Sequence, residues 1–218
     1  MAEPARSILF VHIFFGMLAL FIAPAAMITH KGGLWHRRWG KIYFWAMAVV
    51  AISAVLLSVL RPQLFLPMVA VFSFYLAFTA YRVLYRKSSQ HPASTLDWVG
   101  AGLMLLSGAG LICYGALMVR TSSFGTVAIT FGSIGMLLAI SDVRVFRHAS
   151  SDKRAWWFTH MRRMLAAYIA TVTAFSAVNF QFLPPVVRWL WPSVVGTLGI
   201  LVWSRYYRKK FYGTKNAK

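Results

Sequence analysis

Long apolar runs alternate with short polar connections along the whole chain. Seven runs approach the roughly 20 residues that a helix needs to cross the hydrocarbon core of a bilayer. They are Ile8–Thr29, Ile42–Leu60, Leu64–Leu84, Leu96–Val119, Thr126–Val143, Phe158–Phe180 and Val186–Trp203. Breaker residues such as Lys31-Gly32-Gly33, Arg61-Pro62 and Pro184-Pro185 separate them. The pattern predicts an all-α bundle of seven transmembrane helices over residues 1–204, followed by a basic tail over 205–218.

Composition supports a membrane protein and excludes an ordinary soluble one. The chain is 59% hydrophobic and 12% charged, with a mean hydropathy of +0.63. Soluble domains are about 45–50% apolar and about 25% charged. A soluble fold of 218 residues could not bury so much apolar surface, so lipid must cover it.

The basic residues give the predicted orientation. Seventeen Lys and Arg lie in the connections on one side and in the tail, whereas four lie on the opposite side. Because basic connections stay in the cytoplasm, the N-terminus is predicted outside and the C-terminus in the cytoplasm. The net charge of +19 is dispersed among these connections and matches no nucleic-acid-binding motif. Anionic lipid head groups on the cytoplasmic face are therefore the expected partners, not nucleic acid.

Small residues recur at steps of three and four on three of the helices, which predicts the faces that pack closely. Each of these stripes also carries an ionisable residue, the arrangement expected of a polar group kept away from lipid. The stripes are His12, Gly16, Ala19, Ala23, Ala26 and His30; Asp97, Ala101, Met104, Gly108, Leu111 and Gly115; and Gly125, Ala128, Gly132, Gly135, Ala139 and Asp142.

Asp97, Asp142 and Arg163 form a predicted polar cluster near the cytoplasmic end. Asp97 follows Ser94 at a helix start, where a carboxylate caps free amides. Asp142 is expected to make a charge-assisted contact with Arg163 or Arg162, because an unpaired carboxylate in a membrane is costly. A proton relay or a substrate contact is the alternative role for both aspartates.

Two histidines begin the inward-facing stripes of the second and sixth helices at the cytoplasmic boundary. His36 leads a stripe with Gly40, Tyr43 and Met47, and His160 leads one on the sixth helix. Two imidazoles from different helices are suited to ligating a haem iron or another metal. The alternative is an anionic head group bound beside Arg37 and Arg163.

Other polar residues are given structural roles. His12 and Asn179 lie near the outer end, and His12 is expected to hydrogen-bond to a neighbouring helix. His91 and His148 are expected on the surface. Cys113, the single cysteine, is expected to be a small buried residue.

The chain resembles a bacterial family of predicted multi-pass membrane proteins that carry a domain of unknown function. The resemblance covers most of the chain through the sixth helix. It rests on His12 with Gly16 and Pro24, Lys31-Gly32-Gly33, His36-Arg37-x-x-Gly40-x-x-Tyr43-x-x-x-Met47, His160-Met161-x-x-Met164, Tyr168-Ile169-Ala170-x-x-Thr173-Ala174-Phe175 and Asn179. It implies a fold type in the inner membrane rather than an activity. The residues that match the family pattern are His12, His36, Arg37, Tyr43, His160 and Tyr168.

Three functional hypotheses follow. The first is a haem b protein that exchanges electrons with a membrane quinone, with His36 and His160 as metal ligands and Tyr43 and Arg37 as supporting residues. The second is a cofactor-free transporter or a lipid- or anion-binding protein. The third is a metal-dependent membrane hydrolase that uses both histidines and an aspartate. Whether the chain is an enzyme or a transporter, and whether it forms a homo-oligomer, stays open at this level.

Overall fold

The computed structural model describes residues 3–60, 63–88, 92–148 and 152–213. His91, the predicted turn at Arg61-Pro62 and the tail after Gly213 lie outside these ranges. The described residues form seven α-helices and a 3₁₀ turn, with no β-strand among them, which confirms the all-α prediction. The elements are α1 (Glu3–Ile28), α2 (Leu34–Leu60), α3 (Phe65–Arg82), the 3₁₀ turn (Val83–Tyr85), α4 (Thr95–Met118), α5 (Phe124–Arg147), α6 (Ala155–Asn179) and α7 (Pro185–Tyr212).

Each predicted apolar run falls on its own helix, and several helices continue past the run into polar residues. The second helix begins at Leu34 rather than near Ile42, and α7 continues to Tyr212 rather than ending near Trp203. A helix satisfies its backbone internally whatever the polarity of its side chains, so it can continue beyond the hydrocarbon. The sequence boundary between 204 and 205 therefore lies within a helix.

Six of the seven helices are long and apolar enough to cross a membrane. They are α1, α2, α3 with its 3₁₀ turn, α4, α5 and α7. The seventh predicted span, α6, is not among these candidates. Its first turns contain His160, Arg162 and Arg163, which lower its apolar character although it has 25 residues.

Successive helices alternate in direction and are joined by short connections. One end of the bundle, called the basic end here, contains the C-termini of α1, α3, α5 and α7 and the N-termini of α2, α4 and α6. The α1–α2 connection at this end turns at Gly32, whose φ of +79° is a left-handed conformation that favours glycine. Both predicted histidine ligands and both predicted aspartates therefore lie at the basic end.

Helix α3 is central, since it packs against α2, α4, α5 and α6. Helices α1, α2, α3 and α6 form a closed four-helix ring in which α1 packs on α2 and α6, and α3 packs on the same two helices. Within the described residues, the backbones of neither diagonal pair, α1 with α3 or α2 with α6, pack against each other. The centre of this ring is thus bridged by side chains rather than by backbone contact.

The closest helix pair, α4 and α5, meets along the predicted small-residue stripes. All six positions of the α4 stripe and all six of the α5 stripe are buried, which confirms that prediction. The backbones approach so closely that a Cβ on Gly132 would lie 2.6 Å from the carbonyl oxygen of Gly108. A Cβ on Gly115 would lie 2.6 Å from the carbonyl oxygen of Gly125. Glycine at these positions is what allows α4 and α5 to touch.

The prediction for Cys113 is wrong. Its side chain is exposed on the outer surface of α4, on the side of the helix opposite its packed stripe. A thiol is apolar enough to face lipid, so an apolar run does not distinguish a buried cysteine from one on the lipid side.

Candidate functional site at the basic end

The structure brings His36 of α2 and His160 of α6 together across the four-helix ring. Their ring centres are 6.3 Å apart and their planes are inclined by 76°. Both side chains are partly buried. The sequence predicted that the two imidazoles could approach each other if α2 and α6 were neighbours. They do approach, although the two helices are diagonal rather than adjacent.

Each imidazole is oriented by a backbone carbonyl of the other diagonal pair. The Nδ1 atom of His36 lies 2.9 Å from the carbonyl oxygen of Ala26 on α1. The Nδ1 atom of His160 lies 2.8 Å from the carbonyl oxygen of Ala80 on α3. A carbonyl can only accept, so an imidazole in its neutral form would carry the proton on Nδ1 and leave the Nε2 lone pair available. Histidines that ligate metals are usually held in this way.

The separation of the two ring centres would allow both imidazoles to bind one metal ion. Two metal–nitrogen bonds of about 2.0–2.1 Å, with roughly 1 Å more from each nitrogen to its ring centre, place the ring centres of such a pair about 6 Å apart. Across the described ranges, no group of three or more His, Cys, Asp or Glu side chains could hold a metal. Two neutral imidazoles without a carboxylate suit a metal whose other ligands come from a macrocycle, as in haem.

The other two predicted cofactor residues lie elsewhere. Tyr43 is buried two turns further along α2, and its hydroxyl lies 3.2 Å from that of Thr171 rather than on an imidazole. Thr171 in turn lies 3.5 Å from the sulfur of Met47. These contacts join α2 to α6 below the histidines. The side chain of Arg37 is exposed.

The predicted contact of Asp142 with Arg163 is confirmed. Nη2 of Arg163 lies 2.9 Å from both carboxylate oxygens of Asp142, and all but 7% of each residue is buried. The hydroxyl of Tyr75 on α3 donates to the same carboxylate at 2.5 Å. Three helices thus contribute to one buried ionic group, which offsets the cost of placing the carboxylate there.

Asp97 belongs to a second ionic group. Its carboxylate accepts hydrogen bonds from Nε and Nη2 of Arg82 at 3.1 and 3.0 Å, and Arg86 lies 3.8 Å away. It also accepts from the backbone N–H of Ser94 in a capping box, which confirms the predicted capping role. The sequence-predicted cluster of Asp97, Asp142 and Arg163 is therefore two adjacent ion pairs.

Sequence reasoning missed the α3 residues of these groups. Tyr75 and Arg82 are seven residues apart on one face of α3, and Arg86 directly follows the 3₁₀ turn, four residues after Arg82. That spacing was the available signal. These residues reach the aspartates because α3 packs against both α4, which carries Asp97, and α5, which carries Asp142.

Two buried guanidinium nitrogens in this region have no hydrogen-bond partner among the described residues. They are Nη1 of Arg163 and Nε of Arg86. The two ion-pair groups contain three arginines and two aspartates, so one positive charge exceeds the acidic charge.

The outer polar residues have structural contacts. His12 lies 3.0 Å from the hydroxyl of Ser53 and 3.2 Å from the carbonyl oxygen of Val50, both on α2, which confirms the predicted bond to a neighbouring helix. Asn179 is exposed, and its side-chain amide donates to the carbonyl oxygen of Phe175. Both residues lie at the end of the bundle opposite the paired histidines.

Comparisons of this chain with protein-family models, with curated proteins and with solved structures give no match. The geometry of the basic end is therefore the basis of the functional assignment.

Proposed function

We propose that this chain is a seven-span protein of the bacterial inner membrane, with its basic end in the cytoplasm, and that it binds haem b through His36 and His160. The six strongly apolar helices support the membrane location. Helix α6 is the seventh span. Two of its polar residues meet protein instead of lipid, since His160 contacts α3 and Arg163 pairs with Asp142, whereas Arg162 is exposed at the basic end. The excess of Lys and Arg at the basic end supports the orientation.

The observation that carries the haem proposal is the pair of Nδ1 contacts. Each imidazole is held through Nδ1 by a carbonyl of a flanking helix, and this leaves the Nε2 atom of both histidines available to a ligand. Gly40, one turn along α2 from His36, has nothing within 4 Å of where its Cβ would lie, which leaves space beside the histidine. A carboxylate at this position would favour a hydrolytic metal, but Asp97 and Asp142 both bind arginines.

Haem held by these two histidines would supply one-electron chemistry. A lipid-soluble quinone is the partner class proposed to give or take these electrons in the membrane. His36 and His160 would hold the group, and the carbonyl oxygens of Ala26 and Ala80 would orient both imidazoles.

The absorption spectrum of the purified full-length protein tests the proposal. Protein from haem-supplemented cells is expected to show a Soret band and, after reduction with dithionite, the sharp α band of six-coordinate ferrous haem. Iron and haem should be recovered at about one per chain. A colourless protein, or a spectrum of five-coordinate haem, would contradict ligation by both histidines.

A second candidate function is favoured by the unpartnered guanidinium nitrogens of Arg86 and Arg163. In this alternative the protein has no cofactor, and the basic end binds an anion that the excess positive charge attracts. Anion-dependent stabilisation of a colourless protein would favour it over haem binding.

A further inference from the structure

A groove opens at the basic end between the start of α6 and the end of α7, away from the paired histidines. Its volume is about 470 Å³. The residues that determine its chemistry are Asp152, Phe158, Thr159, Arg162, Arg208 and Tyr212. Both arginines are exposed and so can reach a ligand from outside the bundle.

The two arginines flank the same aromatic ring. The guanidinium carbon of Arg162 is 5.7 Å from the ring centre of Phe158, and that of Arg208 is 6.0 Å from it. Phe158 is buried and stacks nearly parallel to Tyr212, with ring centres 6.2 Å apart. The guanidinium groups of Arg162 and Arg208 repel each other beside this aromatic ring. An anion between them would convert repulsion into attraction.

The acidic residue of the groove is already engaged. Asp152 accepts hydrogen bonds from the hydroxyl of Tyr212 at 2.8 and 2.9 Å and from the backbone N–H of Arg154 at 2.9 Å. The backbone N–H and the hydroxyl lower the pKa of Asp152, so its carboxylate is ionised at neutral pH. With two arginines and one aspartate, the groove has a net charge of +1.

We infer that this groove binds the phosphate group of an anionic lipid. Guanidinium groups match phosphate oxygens in geometry and charge. A phosphodiester carries one negative charge, which neutralises the groove. The groove lies at the ends of membrane-crossing helices, the level of the head groups, and basic pockets between helices at this depth suit anionic lipids. The inference does not depend on haem.

Lipid retention by the full-length protein tests this inference. Native mass spectrometry would compare phosphatidylglycerol with phosphatidylcholine at equal concentration in one detergent. Phosphatidylglycerol is expected to bind more tightly, and R162Q/R208Q is expected to weaken it by about tenfold or more, because charge-assisted hydrogen bonds are lost. The control is R144Q/R147Q, which removes two exposed arginines at the same end but outside the groove.

Two further arms make the result decisive. Thr159→Phe fills the groove while keeping every charge and should also weaken phosphatidylglycerol binding, which covers the case in which R162Q/R208Q fails to fold. Inorganic phosphate should compete only weakly, because it lacks the acyl chains. If R162Q/R208Q and R144Q/R147Q lost phosphatidylglycerol affinity equally, the lipid would be attracted by the general positive charge of the basic end and not bound in the groove. Tight binding of inorganic phosphate, with no preference for phosphatidylglycerol over phosphatidylcholine, would show that the groove binds free phosphate and not a lipid.

Discussion

A single nitrogen of Arg163, Nη2, lies 2.9 Å from both carboxylate oxygens of Asp142, although their helices, α6 and α5, do not pack directly against each other within the described residues. The long guanidinium side chain spans the separation, and Tyr75 of α3 completes the contact at 2.5 Å. The ion pair therefore links the four-helix ring to the α4–α5 pair. It connects two parts of the bundle that otherwise meet mainly through α3.

Replacing Arg163 by Met should destabilise the protein by about 3–5 kcal/mol, because the carboxylate of Asp142 would remain buried without its positive partner. Equilibrium unfolding with SDS in mixed micelles measures this change. The double variant D142N/R163M should recover part of the loss, since it removes both charges. Arg144→Gln, on the exposed face of α5, should change stability by no more than about 0.5 kcal/mol. If R163M and R144Q were equally stable, the buried pair would be contradicted.

The contact between α4 and α5 predicts opposite effects for two glycine substitutions. Gly132→Ala would place a Cβ 2.6 Å from the backbone oxygen of Gly108, and backbone cannot move aside as a flexible side chain can. It should cost about 1–3 kcal/mol by the same unfolding measurement. Gly102→Ala on α4 has nothing within 4 Å of its Cβ. It should be neutral or stabilising by about 0.5–1 kcal/mol, because alanine favours the helix. Destabilisation by Gly102→Ala instead of Gly132→Ala would show that these helices meet elsewhere.

The packed faces of α4 and α5 could be predicted from sequence because small residues in lipid have a single structural use. The pairing of Asp142 with Arg163 was also accessible, since a buried carboxylate requires a positive partner and Arg162 and Arg163 lie within the first turns of the sixth helix at the same end. In both cases the cost of exposing a polar group or a gap to lipid leaves only one or two arrangements of the side chains.

Helix adjacency could not be predicted in the same way. The stripe that begins with His36 indicates that one face of α2 is packed, but it does not indicate against which helix. The diagonal placement of α2 and α6 depends on α1 and α3 lying between them, which is a property of the whole bundle. For the same reason Asp97 could be placed in a helix cap, whereas its pairing with Arg82 could not be read from its own helix.

The proposed orientation of the chain in the membrane gives a further prediction that does not depend on any cofactor. A fluorescent reporter fused after Lys218 should be fluorescent in the cytoplasm, because seventeen Lys and Arg lie on that side and four on the other. Alkaline phosphatase, which is active only outside the cytoplasm, should be active when it is fused at the N-terminus. The matched control exchanges the two reporters, and both should then lose their signal. Fluorescence from the fluorescent reporter when it is fused at the N-terminus would place the N-terminus in the cytoplasm and contradict the assignment of the basic end.

The paired histidines give the most specific prediction. His36→Ala and His160→Ala should each abolish the spectrum of six-coordinate haem, because each would remove one of the two proposed haem ligands, whose ring centres are 6.3 Å apart. His148→Ala, an exposed position at the same end, should leave the spectrum unchanged. His12→Ala should also keep it, since that histidine bonds to Ser53 at the opposite end. Imidazole added to His160→Gly should restore the six-coordinate spectrum if the histidine acts as a ligand. A folded His160→Gly protein that stays unchanged with imidazole, or a loss of colour in His148→Ala, would separate the histidine pair from any haem.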